Sequence, residues 1–66
     1  MKITINGEPH EIEQGLSIFD LAATLELAPD KIAIERNRSI VPRSTFAETR
    51  LCDGDHIEIV CFVGGG

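Results

Sequence analysis

The sequence predicts an α+β domain, a mixed sheet of four to five strands with one main helix on one face. Three observations lead there. Apolar residues alternate with polar ones at both ends of the chain, the period of half-buried strands. One stretch between them carries helical spacing. The chain has 66 residues, enough for one domain with one thin core. A hairpin, then a helix, then more strands gives the order β-β-α-β-β-β and two layers.

Met1 to Asn6 opens the chain, with Ile3 and Ile5 alternating with Lys2 and Thr4. Asn6-Gly7 is a strong hairpin signal, because both residues tolerate positive φ. The second strand is expected over His10 to Glu13, with Ile12 facing inward, and Gln14-Gly15 breaks it. Ser17 is the expected N-cap of the helix. Asp20, three residues on, can reach back to free amides and face the positive helix end. Ile18, Leu21, Ala22 and Leu25 form one apolar stripe, and the helix is expected to stop near Leu27, ahead of Pro29.

Lys31 to Arg36 reads as a strand buried on its Ile32/Ile34 side, followed by a turn at Asn37-Arg38. Ser39 to Val41 is a short strand stopped by Pro42. Residues 43 to 50 are polar around Phe46 and read as a turn, or one loose helical turn, pinned by that ring. Asp53-Gly54-Asp55 is a tight turn, in which Asp beside Gly serves the backbone. The last strand is expected from His56 to Val63. Ile57, Ile59, Cys61 and Val63 lie on one face; His56, Glu58, Val60 and Phe62 lie on the other.

Composition narrows the function. A chain this short hides only about 60 % of its unfolded surface. It leaves no room for a deep catalytic cavity, and no acid/base or nucleophile set stands out. An enzyme is therefore not expected. The net charge of −5 repels phosphate backbones, and three Phe with no Trp or Tyr make a poor base-stacking surface. Nucleic acid is not the expected partner. A basic surface on another protein is. Met1-Lys2 leads into alternating residues rather than a leader, and no apolar run reaches the ~18 residues of a membrane span. A cytoplasmic protein with both thiols reduced is expected.

The candidate chemistry lies at Gly64-Gly65-Gly66. A terminal glycine run packs nothing and anchors nothing. It can form a thread one backbone wide for a narrow slot in a partner enzyme, and it leaves the last carboxylate open. A domain of residues 1–63 with a flexible tail of residues 64–66 is the expected organisation. A carboxylate is unreactive toward nucleophiles until another enzyme activates it, as by adenylation with ATP. Sulfur could then displace AMP and leave a thiocarboxylate on Gly66, while the folded domain supplies the remote binding energy.

The elements that carry a family likeness are I-T-I-N-G of Ile3 to Gly7, I-E-R-N of Ile34 to Asn37 and I-V-P-R of Ile40 to Arg43. L-C-D-G-D of Leu51 to Asp55 and I-E-I-V-C-F-V-G-G-G from Ile57 to the end complete the set. With these the whole chain resembles the thiamine-biosynthesis sulfur carriers (ThiS-type), which have the ubiquitin-like β-grasp fold. Three closing glycines stand where many relatives show two. The resemblance implies that an adenylating enzyme related to ubiquitin-activating enzymes charges Gly66. A sulfurtransferase or cysteine desulfurase relay would supply sulfur, and thiazole synthase would consume the thiocarboxylate. The carrier would be a monomeric co-substrate with no cofactor of its own. Molybdopterin-type carriers, ubiquitin-like modifiers and non-covalent interaction modules share parts of this pattern and stay open.

Val60 and Phe62, next to the tail, are the expected docking patch for partner enzymes, unless they cover the sheet's edge or pack under the 43–50 loop. Cys61 is expected in the core, as a small hydrophobe on the Ile57/Ile59 face. Cys52 and His56 are spaced C-x₃-H. Without a paired C-x₂-C spacing they make a poor metal set, even with Cys61 and His10, so no metal is expected. His10, His56 and the scattered Arg36, Arg38, Arg43 and Arg50 read as surface residues.

Overall fold

The computed structural model describes residues 1–62. Val63, the expected end of the last strand, and the expected tail Gly64, Gly65 and Gly66 lie outside the described residues. Five strands and one helix follow the expected order: β1 (Lys2–Ile5), β2 (Glu8–Glu11), α1 (Ile18–Thr24), β3 (Ile32–Arg36), β4 (Ser39–Ile40) and β5 (His56–Cys61). Two short 3₁₀ turns, Pro29–Lys31 and Arg43–Thr45, fill the connections.

The sheet order is β2-β1-β5-β3-β4. β1 and β5 run parallel at its centre, and all other pairs are antiparallel. Ile3, Ile5, Ile32, Ile34 and Ile57 point from the sheet onto Ile18, Leu21 and Ala22 of α1. Each large apolar side chain so buried contributes about 1.5–3 kcal/mol relative to exposure. Phe46 is buried in the same core, as expected of the ring that pins the 43–50 segment.

Both hairpins turn on two residues. Asn6 and Gly7 have φ of 49° and 84°; Asn37 and Arg38 have 52° and 73°. Positive φ at both central positions is the geometry that follows the twist of paired strands. The first turn sets the register Ile5↔Glu8, so β2 covers Glu8–Glu11 and not His10–Glu13. Ile12 falls just past the strand and is half-buried, with its N–H donating to the Met1 carbonyl at 2.9 Å.

The helix starts as expected. The Asp20 N–H donates to Ser17 Oγ at 3.0 Å, and the Ser17 N–H donates to Asp20 Oδ2 at 3.1 Å, closing a capping box. The bond from the Ser17 backbone holds the Asp20 carboxyl below its ordinary pKa. The helix ends at Thr24, earlier than Leu27. Glu26 turns left-handed (φ 60°), and the Leu27 and Glu26 N–H groups donate to Ala22 and Ala23. This pair of bonds is a Schellman closure, made here without the usual glycine.

Candidate docking site

β5 sits between two neighbours at its start and one at its end. β3 accompanies it from Arg36↔Ile57 to Ile32↔Cys61. β1 pairs only with His56 and Ile57, then turns away at Asn6-Gly7. Burial falls along the strand accordingly. Ile57 is fully buried, Ile59 half-buried and Cys61 exposed. Cys61 therefore does not belong to the core. It has the parity of Ile57 and Ile59, but its strand has run past the end of the paired β1 that helps to cover them.

A polar cluster fixes the start of β5. Asp55 is only 5 % exposed. Its carboxylate accepts from Arg36 Nε at 2.9 Å, Asn37 Nδ2 at 3.1 Å and the Cys52 N–H at 2.8 Å. Burial pushes its pKa up, but the bonds from Cys52, Asn37 and Arg36 outweigh burial and hold it below the ordinary carboxylate value. Asn37 Oδ1 also accepts the His56 N–H at 2.9 Å. Asp53 accepts the Lys2 N–H at 2.7 Å. Tight-turn chemistry alone thus understates both aspartates.

Three of the four arginines expected to be plain surface also have structural partners. Arg36 pairs with Asp55, and its Nη2 donates to the exposed Cys52 Sγ at 3.5 Å. Arg43 donates to the carbonyls of Pro29 and Ile32, and Arg50 to that of Gly15. Arg38 is exposed, as is His56; His10 is half-buried. Among the described residues no three His, Cys, Asp or Glu side chains converge on a point that could hold a metal ion.

The two residues expected to dock partners, Val60 and Phe62, are exposed, with Val60 on the open face of the sheet opposite α1. Val60 is 60 % exposed and Phe62 51 %. The sequence reading missed Ile40, which at 75 % is the most exposed large apolar residue described. The register Glu35↔Ile40, with Glu35↔Glu58 and Ala33↔Val60, places it on this face. The two-residue Asn37-Arg38 turn fixes that register, so the turn was the signal that could have found it. Ala33, Ile40 and Val60 line a shallow groove of about 270 Å³, and Glu35 and Glu58 stand side by side on its wall. Like charges directly across a strand pair are unfavourable. They make one end of an apolar groove attractive to a basic side chain.

A five-stranded mixed sheet in this order, with one helix across a single face, defines a ubiquitin-like β-grasp domain. The model of the ThiS family matches residues 3–66, and the chain belongs to that family. It is 46% identical over 50 residues to the sulfur carrier protein ThiS of Bacillus subtilis, covering 76% of each chain. A solved structure of the thiamine biosynthesis protein ThiS from Geobacter metallireducens superposes with a TM-score of 0.85 at 32% identity, with each chain fully covered. The whole chain is also 47% identical to part of a thiazole synthase from Magnetococcus marinus, and spans only 20% of that protein's length.

Among the described residues no helix is long and apolar enough to cross a membrane.

Proposed function

We propose that this protein carries sulfur for the thiazole of thiamine, with the carboxylate of Gly66 as the reacting group. The observation that carries the reading is the exposed apolar patch of Ile40 on β4 with Val60 and Phe62 at the end of β5, one residue ahead of the glycines at 64–66. The patch supplies docking energy and the glycines reach the chemistry. This division suits a protein that is a co-substrate and not a catalyst. Family membership and the likeness to the Bacillus carrier support it.

In an adenylating enzyme the Gly66 carboxylate attacks the α-phosphorus of ATP, forming an acyl-adenylate and releasing pyrophosphate. The terminal sulfur of a protein persulfide, delivered by a sulfurtransferase or cysteine desulfurase relay, displaces AMP to give an acyl disulfide. A second thiol cleaves its S–S bond, leaving a thiocarboxylate on Gly66 and a disulfide on the donor. Thiazole synthase takes the sulfur into its substrate, and an oxygen from that substrate or from water restores the carboxylate. The carrier works as a monomer in the cytoplasm, where ATP and reduced thiols are at hand. Gly64 and Gly65 thread the partner's slot, and Val60 and Phe62 dock the domain.

The test is the intact mass after incubation with the adenylating enzyme, ATP and a sulfur source. The expected result is a gain equal to one oxygen replaced by sulfur, absent when Gly66 is removed. An unchanged mass with an enzyme proven active would turn the reading toward a non-covalent interaction module.

A further inference from the structure

The hydrogen-bonding pattern of β5 leaves one backbone edge unused beside the docking patch. Successive residues of a strand direct their N–H and C=O to opposite sides. Here the Thr4 and Asn6 N–H groups donate to the carbonyls of Asp55 and Ile57, so odd-numbered residues face β1. The Asn37 N–H donates to His56, and the Phe62 N–H to Lys31, so even-numbered residues face β3.

β1 has ended by Ile59, and a side chain takes its place. Asn6 Oδ1 accepts the Ile59 N–H at 2.8 Å, and Asn6 Nδ2 donates to the Ile59 carbonyl at 3.3 Å. The next odd residue is Cys61. Its N–H and C=O point to the same side, beyond Asn6, where no strand lies among the described residues.

We infer that an extended segment of the adenylating enzyme pairs with β5 along this edge, bonding the Cys61 N–H and C=O as an added strand. The inference rests on the carrier reading and deepens it by naming how the partner holds the root of the tail. Main-chain pairing at an exposed sheet edge is a general mode of peptide capture. The outward side chains of such a strand lie beside Val60 and Phe62, so edge and patch form one surface. A second copy of this chain is the poorer occupant, since two chains of net charge −5 repel.

The experiment uses the whole chain and its adenylating enzyme. Cys61→Pro removes an N–H that no described residue uses, at a position where an edge strand accepts proline. Cys61→Ala removes the thiol and keeps the N–H. The expected result is binding about tenfold weaker for Cys61→Pro and unchanged for Cys61→Ala, the loss of about one hydrogen bond. In the wild-type chain the Cys61 amide should exchange quickly when free and slow about tenfold or more under saturating enzyme. That measurement decides the matter if proline disturbs the strand.

Equal binding by both variants, or an unprotected Cys61 amide in a saturated complex, would overturn the edge pairing and leave the carrier reading standing. Protection that rises with chain concentration and no enzyme would assign the edge to self-association. Failure of the wild-type chain to bind an active enzyme would overturn both.

Discussion

The two hairpin turns place an asparagine at the same point of the same geometry, yet the two asparagines serve different ends of β5. Asn37 belongs to the cluster at the strand's start, where its side chain links Asp55 to the His56 N–H. The Asn6 side chain bonds instead to the Ile59 backbone, on the exposed far half of the strand. One turn is tied to a buried carboxylate and fastens the strand to the fold. The other supplies a side-chain stand-in for a missing strand residue and marks where the open edge begins. A left-handed asparagine can therefore be a structural bolt or a boundary marker, and its partners decide which.

Asp55→Ala breaks the comparison most severely. It strands Arg36, Asn37 and the Cys52 N–H together, and should lower the unfolding free energy by about 3 kcal/mol in chemical denaturation. The same group sets an acid limit. Its folded pKa lies below the unfolded value, so its stabilisation is complete above the unfolded pKa and is lost as pH falls through the folded one. Stability measured against pH should be level near neutrality and fall below about pH 4, and Asp55→Asn should flatten that fall.

Gly7→Ala should cost about 1–2 kcal/mol. A Cβ there meets nothing within 4 Å, so the whole cost is the positive φ. Asn6→Ala should cost about 1 kcal/mol and leave the acid limb unchanged, whereas Asn37→Ala should alter it. Arg38→Gly, which gives the second turn the residue the first already has, should stabilise the protein by roughly 0.5–1 kcal/mol. A melting series on these variants would rank the turns. Equal losses for Asn6→Ala and Asn37→Ala would erase the distinction between them.

What could be read from the sequence was local. Asn6-Gly7, Ser17 with Asp20, and the alternating isoleucines of β1 and β3 each have their cause within a few residues. The parts that escaped depend on distant partners. Asp55 looked fully explained by Gly54 beside it, while Arg36 and Asn37 lie 19 and 18 residues away. Cys61 has the parity of a core residue, but its exposure follows from where β1 stops pairing. Glu26 closes the helix in a conformation that usually advertises itself through glycine, so the stop at Thr24 had no local sign. Of the exposed apolar patch, Val60 and Phe62 were legible from their face of the last strand beside the glycines. Ile40 needed the register of β3 and β4.

The parallel pairing of β1 with β5 bears on how the domain forms. Thr4 and His56, partners at the centre of the sheet, are joined by almost the whole chain. The centre of the sheet cannot close until the last strand is available, and a chain growing on a ribosome must hold its first hairpin without that support. Folding is thus a late, all-at-once event governed by the arrival of β5. A copy cut short before His56 has no middle strand and should be cleared as an unfolded chain, so loss of the C-terminal segment registers first as missing protein.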